Sequence, residues 1–222
     1  MRDNNFIIEN NAKHLWHPMG APSDSINNPP KVITNASGSQ ISDIDGHTTV
    51  DAVGGLWCVN LGYSNETVKK AISEQLNHLP YYSGFAGTTN PAAIEASFMV
   101  KEMFKTDGME KVFFTSGGSD SVETCLRLSR QYHRLRGEPT RTKFISLKKG
   151  YHGTHFGGAS VNGNNRFRIA YEPLLPGCFH LPSPYTYRNP FNETDAQKLA
   201  LNIAQAFEDE VAFQDKNTIA AF

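Results

Sequence analysis

The chain has 222 residues, 39% of them hydrophobic, 11% aromatic and 19% charged, with a formal net charge of −1. This balance suits a folded soluble protein and gives no electrostatic reason to expect nucleic acid or an anionic membrane as a partner. Cys58, Cys125 and Cys178 show no Cys-x-x-Cys spacing, which points to buried thiols in a reducing compartment over a disulfide framework. No apolar run reaches the ~18 residues of a membrane span and the N-terminus lacks a signal-type core, so the expected location is the cytoplasm.

In chain order, residues 1–28 read as a polar lead in which Pro18, Pro22 and the Pro29-Pro30 pair interrupt any helix. From Lys31 to Asp51, turn signals at Ser37-Gly38 and Asp45-Gly46 separate short β-type runs, as in an antiparallel meander. Val68, Ala71, Ile72, Leu76 and Leu79 recur at helical spacing and predict a helix within Ser64–Leu79. Asn90-Pro91 starts a second helix, carrying Ile94, Phe98 and Met103.

The second half of the chain alternates strand and helix. Val112–Thr115 reads as a buried strand, and Ser119–Arg136 as a helix with Val122, Cys125, Leu126 and Tyr132 on one face. Phe144–Leu147 reads as the next strand. Gly158–Tyr187 is rich in Gly, Asn, Pro and Arg and reads as long loops; Leu199, Ile203, Phe207 and Val211 then mark an amphipathic helix before a final strand at 217–222. Strand-helix-strand units with right-handed crossovers make a mostly parallel sheet, so the predicted class is α/β.

Two motifs carry chemistry. In Thr115-Ser116-Gly117-Gly118-Ser119-Asp120 an apolar run enters a glycine turn and opens a helix, a layout that suits an anion or else a plain connection capped by Ser119. No Lys follows the glycines and Ser121–Arg136 holds no further Gly, so neither nucleotide-binding fingerprint is met. The second motif, Tyr151-His152-Gly153-Thr154-His155, follows the strand at Phe144–Leu147. Both motifs are therefore expected at the carboxyl end of one sheet, where α/β folds bind ligands. His152 and His155 lack a carboxylate or thiol neighbour in sequence, so no metal site is expected.

These blocks, Thr115-Ser116-Gly117-Gly118-Ser119-Asp120-Ser121-Val122-Glu123-Thr124 and Tyr151-His152-Gly153-Thr154-His155, resemble those of the class III (ω) aminotransferases, fold-type I enzymes that use pyridoxal 5'-phosphate. Leu15-Trp16-His17-Pro18-Met19, Asp43-Ile44-Asp45-Gly46, Asp51 to Trp57 and Tyr81 to Phe85 fall in family order, so the resemblance runs from Leu15 to Phe222. It implies a fold-type I α/β architecture in which residues 1–60 belong to a small α+β N-terminal lobe and 61–222 begin the large cofactor-binding domain. A family member is about twice this long, so the chain is expected to be an N-terminal half, with the Schiff-base Lys and the Asp that pairs with the pyridine nitrogen beyond Phe222.

The resemblance also implies roles. Gly117, Gly118 and Ser119 match the phosphate loop; a Ser is usual where Gly117 stands, so one donor is missing unless Ser116 replaces it. Tyr151 matches the aromatic that stacks on the pyridine ring, with His152 beside it. Met19, Trp57 and Phe85 match walls of the substrate pocket, Phe85 being offered to a neighbouring subunit of a homodimer with shared active sites; ordinary core packing is the other reading of all three. The implied reaction moves an amino group from an amine or ω-amino acid to a keto acid such as pyruvate. The alternatives are a related decarboxylase or racemase, or a non-catalytic cofactor-binding or interface fragment. Either way this chain alone is expected to be inactive.

Overall fold

The computed structural model describes residues 2–222, which divide into two compact units, the first ending at Ala96 and the second running from Ser97 to Phe222. The lobe boundary expected after residue 60 falls inside the first unit.

The polar lead is more helical than its prolines suggest. Helix α1 (Asn4–His14) is capped by Asp3, whose carboxylate accepts the Phe6 amide at 2.9 Å. Pro22 opens α2 (Pro22–Asn27) from its first turn, where a missing N–H costs nothing because no intrahelical acceptor exists. The expected meander is present: β1 (Ile33–Ser37), β2 (Gln40–Asp43) and β3 (Thr48–Val50) pair antiparallel in that order. A short turn of helix, α3 (Gly54–Trp57), follows, with left-handed Gly55 and Leu56 inside it. Asp51 pins that turn by accepting from Gly55 N at 2.7 Å and the Tyr63 hydroxyl at 2.6 Å. The Tyr63 bond, with the Gly55 amide, holds the Asp51 carboxyl below its ordinary range. Helix α4 (Glu66–His78), capped by Asn65, matches the predicted periodicity, as does α5 (Pro91–Met103), whose first turn Asn90 caps at Ala93 N.

The second unit is built on a parallel three-stranded sheet in the order β5-β4-β6, made of β4 (Lys143–Leu147), β5 (Cys178–Leu181) and β6 (Ile219–Ala221). Helix α6 (Gly118–Leu135) packs against β6 and against α7 (Phe156–Val161), and α8 (Ala196–Gln214) packs against β5. Buried Phe144, Ile145, Ala159, Val161, Leu181 and Leu199 form the core. Helices α6 and α8 and strands β4 and β6 were legible in sequence. Three expectations need correction, the first being that residues 158–161, expected to begin a loop, complete helix α7. Cys178–Leu181, read as loop, is a full partner of β4, pairing Phe144 with Cys178 through to Leu147 with Leu181. Val112–Thr115 is not a strand: it has no ladder partner among the described residues, and Phe113 and Phe114 are 71% and 55% exposed.

His180, on β5, is expected to make the unit's stability pH-dependent. Burial, and then the positive charge of Arg168, push the imidazole below its ordinary value of 6.5. Arg168 NH1 lies 2.7 Å from Nε2, and a guanidinium only donates, so the ring serves as acceptor when neutral. The folded pKa is thus below the unfolded one, so the contribution is complete above about pH 6.5 and is lost as pH falls through the folded value. The urea midpoint should fall between about pH 7.5 and pH 5.5, and less so in His180→Gln. Equal slopes in both proteins would remove His180 as the cause.

Candidate functional site

The glycine turn ends in the first turn of α6. Gly117 is extended, and its carbonyl accepts the Ser121 amide at 3.0 Å and the hydroxyls of Ser121 and Thr115, each at 3.1 Å. Gly117 is therefore the N-cap; Ser119, the expected cap of a plain connection, lies inside the helix. The amides of Gly118, Ser119 and Asp120 have no intrahelical acceptor, as the first turn of any helix requires. A Cβ added at Gly117 or Gly118 would meet nothing within 4 Å, so the space beside these two glycines is open. With the dipole of an 18-residue helix behind it, that space suits a phosphate group.

The loop bearing Tyr151 is closed by a two-bond clamp: Lys149 N donates to Gly163 O at 2.8 Å and Gly163 N to Gly150 O at 2.9 Å. Within it Asn162, fully buried, donates to Gly153 O at 3.0 Å and accepts the Asn164 amide at 3.0 Å. Gly153 has φ +93°, and its Cα faces Ser119 so closely that an added Cβ would lie 2.6 Å from Ser119 Oγ. The same Oγ accepts the Thr154 amide at 3.2 Å. The two motifs are thus brought together, although the strand expected before the first is absent. The Ser119 hydroxyl keeps its proton free to donate to an anion, since the Thr154 bond uses only a lone pair.

Tyr151 is exposed on one side and contacts Phe167 edge to face, with ring centroids 5.0 Å apart and planes at 65°. Phe167 thereby sets the tilt of the Tyr151 ring, a support that sequence reading did not identify. The His152 ring folds back beside Gly150 and lines an apolar cleft of about 420 Å³ with Val122, Leu126, Phe144 and Val161. His155 does find a carboxylate: its Nδ1 lies 3.2 Å from Asp120 Oδ1.

The three expected pocket residues all lie in the first unit. Met19 (φ 65°) sits in the turn before α2, Trp57 (φ 68°) ends α3 and Phe85 lies in the loop before α5. They are 61%, 82% and 86% exposed, so none is a core residue of its unit. Asp43, Asp45 and His47 gather donor atoms within 4.8 Å of one another. Asp43 Oδ1, however, already accepts the amides of Asp45 and His47 at 3.1 and 2.9 Å, which closes the turn between β2 and β3. The cysteines depart from expectation: Cys58 and Cys125 are exposed, and only Cys178 is half-buried, its thiol pushed up by burial. No described helix is long and apolar enough to cross a membrane.

Comparison with known proteins bears on what this arrangement serves. A model of the family described as aminotransferase class-III matches residues 22–222. The chain is 33% identical over 214 residues to an omega-aminotransferase of Caulobacter vibrioides, covering 96% of this chain and 48% of that protein. It is 33% identical over 189 residues to a putrescine–pyruvate aminotransferase of Pseudomonas aeruginosa, covering 82% and 41%. An amine transaminase structure from an uncultivated Pseudomonas species, in its PLP-bound form, superposes with a TM-score of 0.89 at 43% identity, covering 94% of this chain and 47% of that one. An omega transaminase of Pseudomonas jessenii in complex with PMP gives 0.90 at 30% identity, covering 96% and 47%. The chain spans about half the length of the relatives it matches.

Proposed function

The chain belongs to the class-III aminotransferases, with their fold-type I α/β architecture, and we propose that it forms the phosphate- and ring-binding part of a pyridoxal 5'-phosphate-dependent transaminase. The reaction proposed for the whole protein moves an amino group from an amine or ω-amino acid to a keto acid such as pyruvate. The observation that carries this reading is the open first turn of α6, with the Tyr151 loop tied directly to it.

The residues fit the cofactor's chemistry. The amides of Gly118, Ser119 and Asp120, at a helix start whose Gly117 and Gly118 have open space beside them, would hold a phosphate, and the Ser119 hydroxyl adds a donor. Tyr151, tilted by Phe167, offers a ring face that would fix the plane of a stacked pyridine. When bound, the cofactor supplies the electron sink for breaking bonds at the amine carbon. The Schiff-base Lys is proposed to come from outside this segment. Lys148 and Lys149 are exposed, and Lys149 lies over the Tyr185 ring at 3.9 Å, so neither is assigned that role. Met19, Trp57 and Phe85 are proposed as pocket walls, their exposure leaving them available to substrate or to a second subunit of a homodimer. Three free thiols fit a cytoplasmic setting.

Titration of the chain with pyridoxal phosphate, followed by the cofactor's absorbance and protein fluorescence, tests the binding half. Ser119→Ala should weaken binding by roughly ten- to a hundredfold, the worth of one hydrogen bond to a charged group, and adding Tyr151→Ala should weaken it further. Unchanged affinity in the double variant would mean that these residues do not hold the cofactor. In a protein of the family's full length carrying this segment, an amine should shift the cofactor's absorbance and pyruvate should restore it. No response to any amine would sink the transaminase reading.

A further inference from the structure

The first two turns of α6 and the segment entering α7 run side by side in a constant register. Ser119 Oγ accepts the Thr154 amide at 3.2 Å, Asp120 Oδ1 meets His155 Nδ1 at 3.2 Å, and Glu123 Oε2 accepts the Gly158 amide at 3.2 Å. Each partner lies 35 residues after the α6 residue that holds it. Resting on the pyridoxal phosphate reading above, we infer that Glu123 is a positioning residue, the far end of a three-point latch that holds the Tyr151 loop at a fixed distance from the anion-binding end of α6.

The chemistry of α7 explains why Glu123 is needed. Gly158 is the third residue of α7, so its amide is one of the donors that a helix start leaves without a partner. His155, the N-cap of α7, makes no side-chain capping bond. Glu123 supplies that cap from another helix, and a carboxylate there also complements the helix dipole. Gly157 makes room for it, since a Cβ there would lie 2.5 Å from Glu123 Oε2, and Gly158 lets the helix start pack on the loop, since a Cβ there would lie 2.6 Å from the His152 carbonyl oxygen.

The latch joins two functions that a ligand needs simultaneously. Its near end, Ser119, sits among the open amides; the loop it holds carries Tyr151. The central tie turns the Asp120 carboxylate toward His155, which gives this first-turn charge a partner within the protein. Loosening the Glu123 end should leave an anion site at α6 and blur the placement of the stacking ring. A ligand with both a phosphate and a ring would lose affinity, while a bare phosphate would not.

The test uses the 222-residue chain with two probes, pyridoxal phosphate and inorganic phosphate. In Glu123→Ala, hydrogen exchange at the Gly158 amide should speed up about tenfold, and the preference for pyridoxal phosphate over inorganic phosphate should shrink about tenfold, with inorganic phosphate affinity within about twofold of wild type. Glu123→Gln keeps an acceptor oxygen and should restore both. Equal loss of both probes would show a general structural role and overturn the inference, as would an unaltered preference or unaltered Gly158 exchange. Should the wild-type chain show no preference for pyridoxal phosphate, the cofactor reading itself fails, and Gly158 exchange still decides whether Glu123 holds the loop.

Discussion

Gly163→Ala is expected to cost the second unit at least ~3 kcal/mol of stability, with a matching drop in the urea midpoint. The added Cβ would overlap the Leu147 carbonyl oxygen and would lie 2.7 and 2.8 Å from Lys148 Cα and carbonyl carbon. All three are backbone atoms at the carboxyl end of β4, so no side chain can swing away to relieve the contact. Gly163 also makes both bonds of the clamp that closes the Tyr151 loop, to Gly150 O and from Lys149 N. Separating the segments by the methyl's width would stretch both, at roughly 0.5–1.5 kcal/mol each beyond the steric cost. A loss below about 1 kcal/mol would mean that the loop closes differently from the geometry described. The same variant should lower pyridoxal phosphate affinity even where it remains folded, because Tyr151 lies one residue beyond the clamp.

What the sequence made legible is what local chemistry decides. The periodicity of Val68 to Leu76 and of Leu199 to Val211, and the helix start at Asn90-Pro91, act within a turn or two and hold as read. The glycine turn was also locally legible, because Gly117 and Gly118 have the backbone access that an anion needs. Missed features depend on distant partners. Cys178–Leu181 is a strand because β4 lies beside it, and its short run in a Pro- and Gly-rich stretch carries no period of its own. Val112–Thr115 has strand composition, yet composition without a ladder partner leaves an extended segment with exposed phenylalanines. Glu123 and Asn162 carry no local signal of a special role. Their importance comes from one acceptor and one buried amide whose partners lie 35 and 9 residues away. Pro22 has the look of a helix breaker in sequence yet starts a helix, because its effect depends on the turn it occupies.

Gly118→Asp should separate folding from binding by moving them in opposite directions. In the folded chain a Cβ at Gly118 meets nothing within 4 Å, so an aspartate side chain has room. As the first residue of α6 it would place a carboxylate against the positive end of the helix dipole and replace a poor helix former, each a stabilising change of about 0.3–1 kcal/mol. Thermal or urea stability should therefore stay level or rise slightly. The same carboxylate would occupy the space proposed for the phosphate. Two like charges about 4 Å apart repel by roughly 4 kcal/mol at the effective dielectric of a protein surface, and a phosphate dianion feels more. Affinity for pyridoxal phosphate should fall by at least about a hundredfold, which corresponds to ~2.7 kcal/mol. Raising the salt concentration should recover part of that loss, since the pair is solvent-accessible and screened. Retained affinity at unchanged stability would place the phosphate elsewhere. Loss of stability together with affinity would contradict the open space seen before Gly118, because only a group already seated against that glycine could make the side chain collide. The predicted divergence of sign follows from the geometry at the start of α6, where a side chain at Gly118 has open space and would fill the volume proposed for the phosphate.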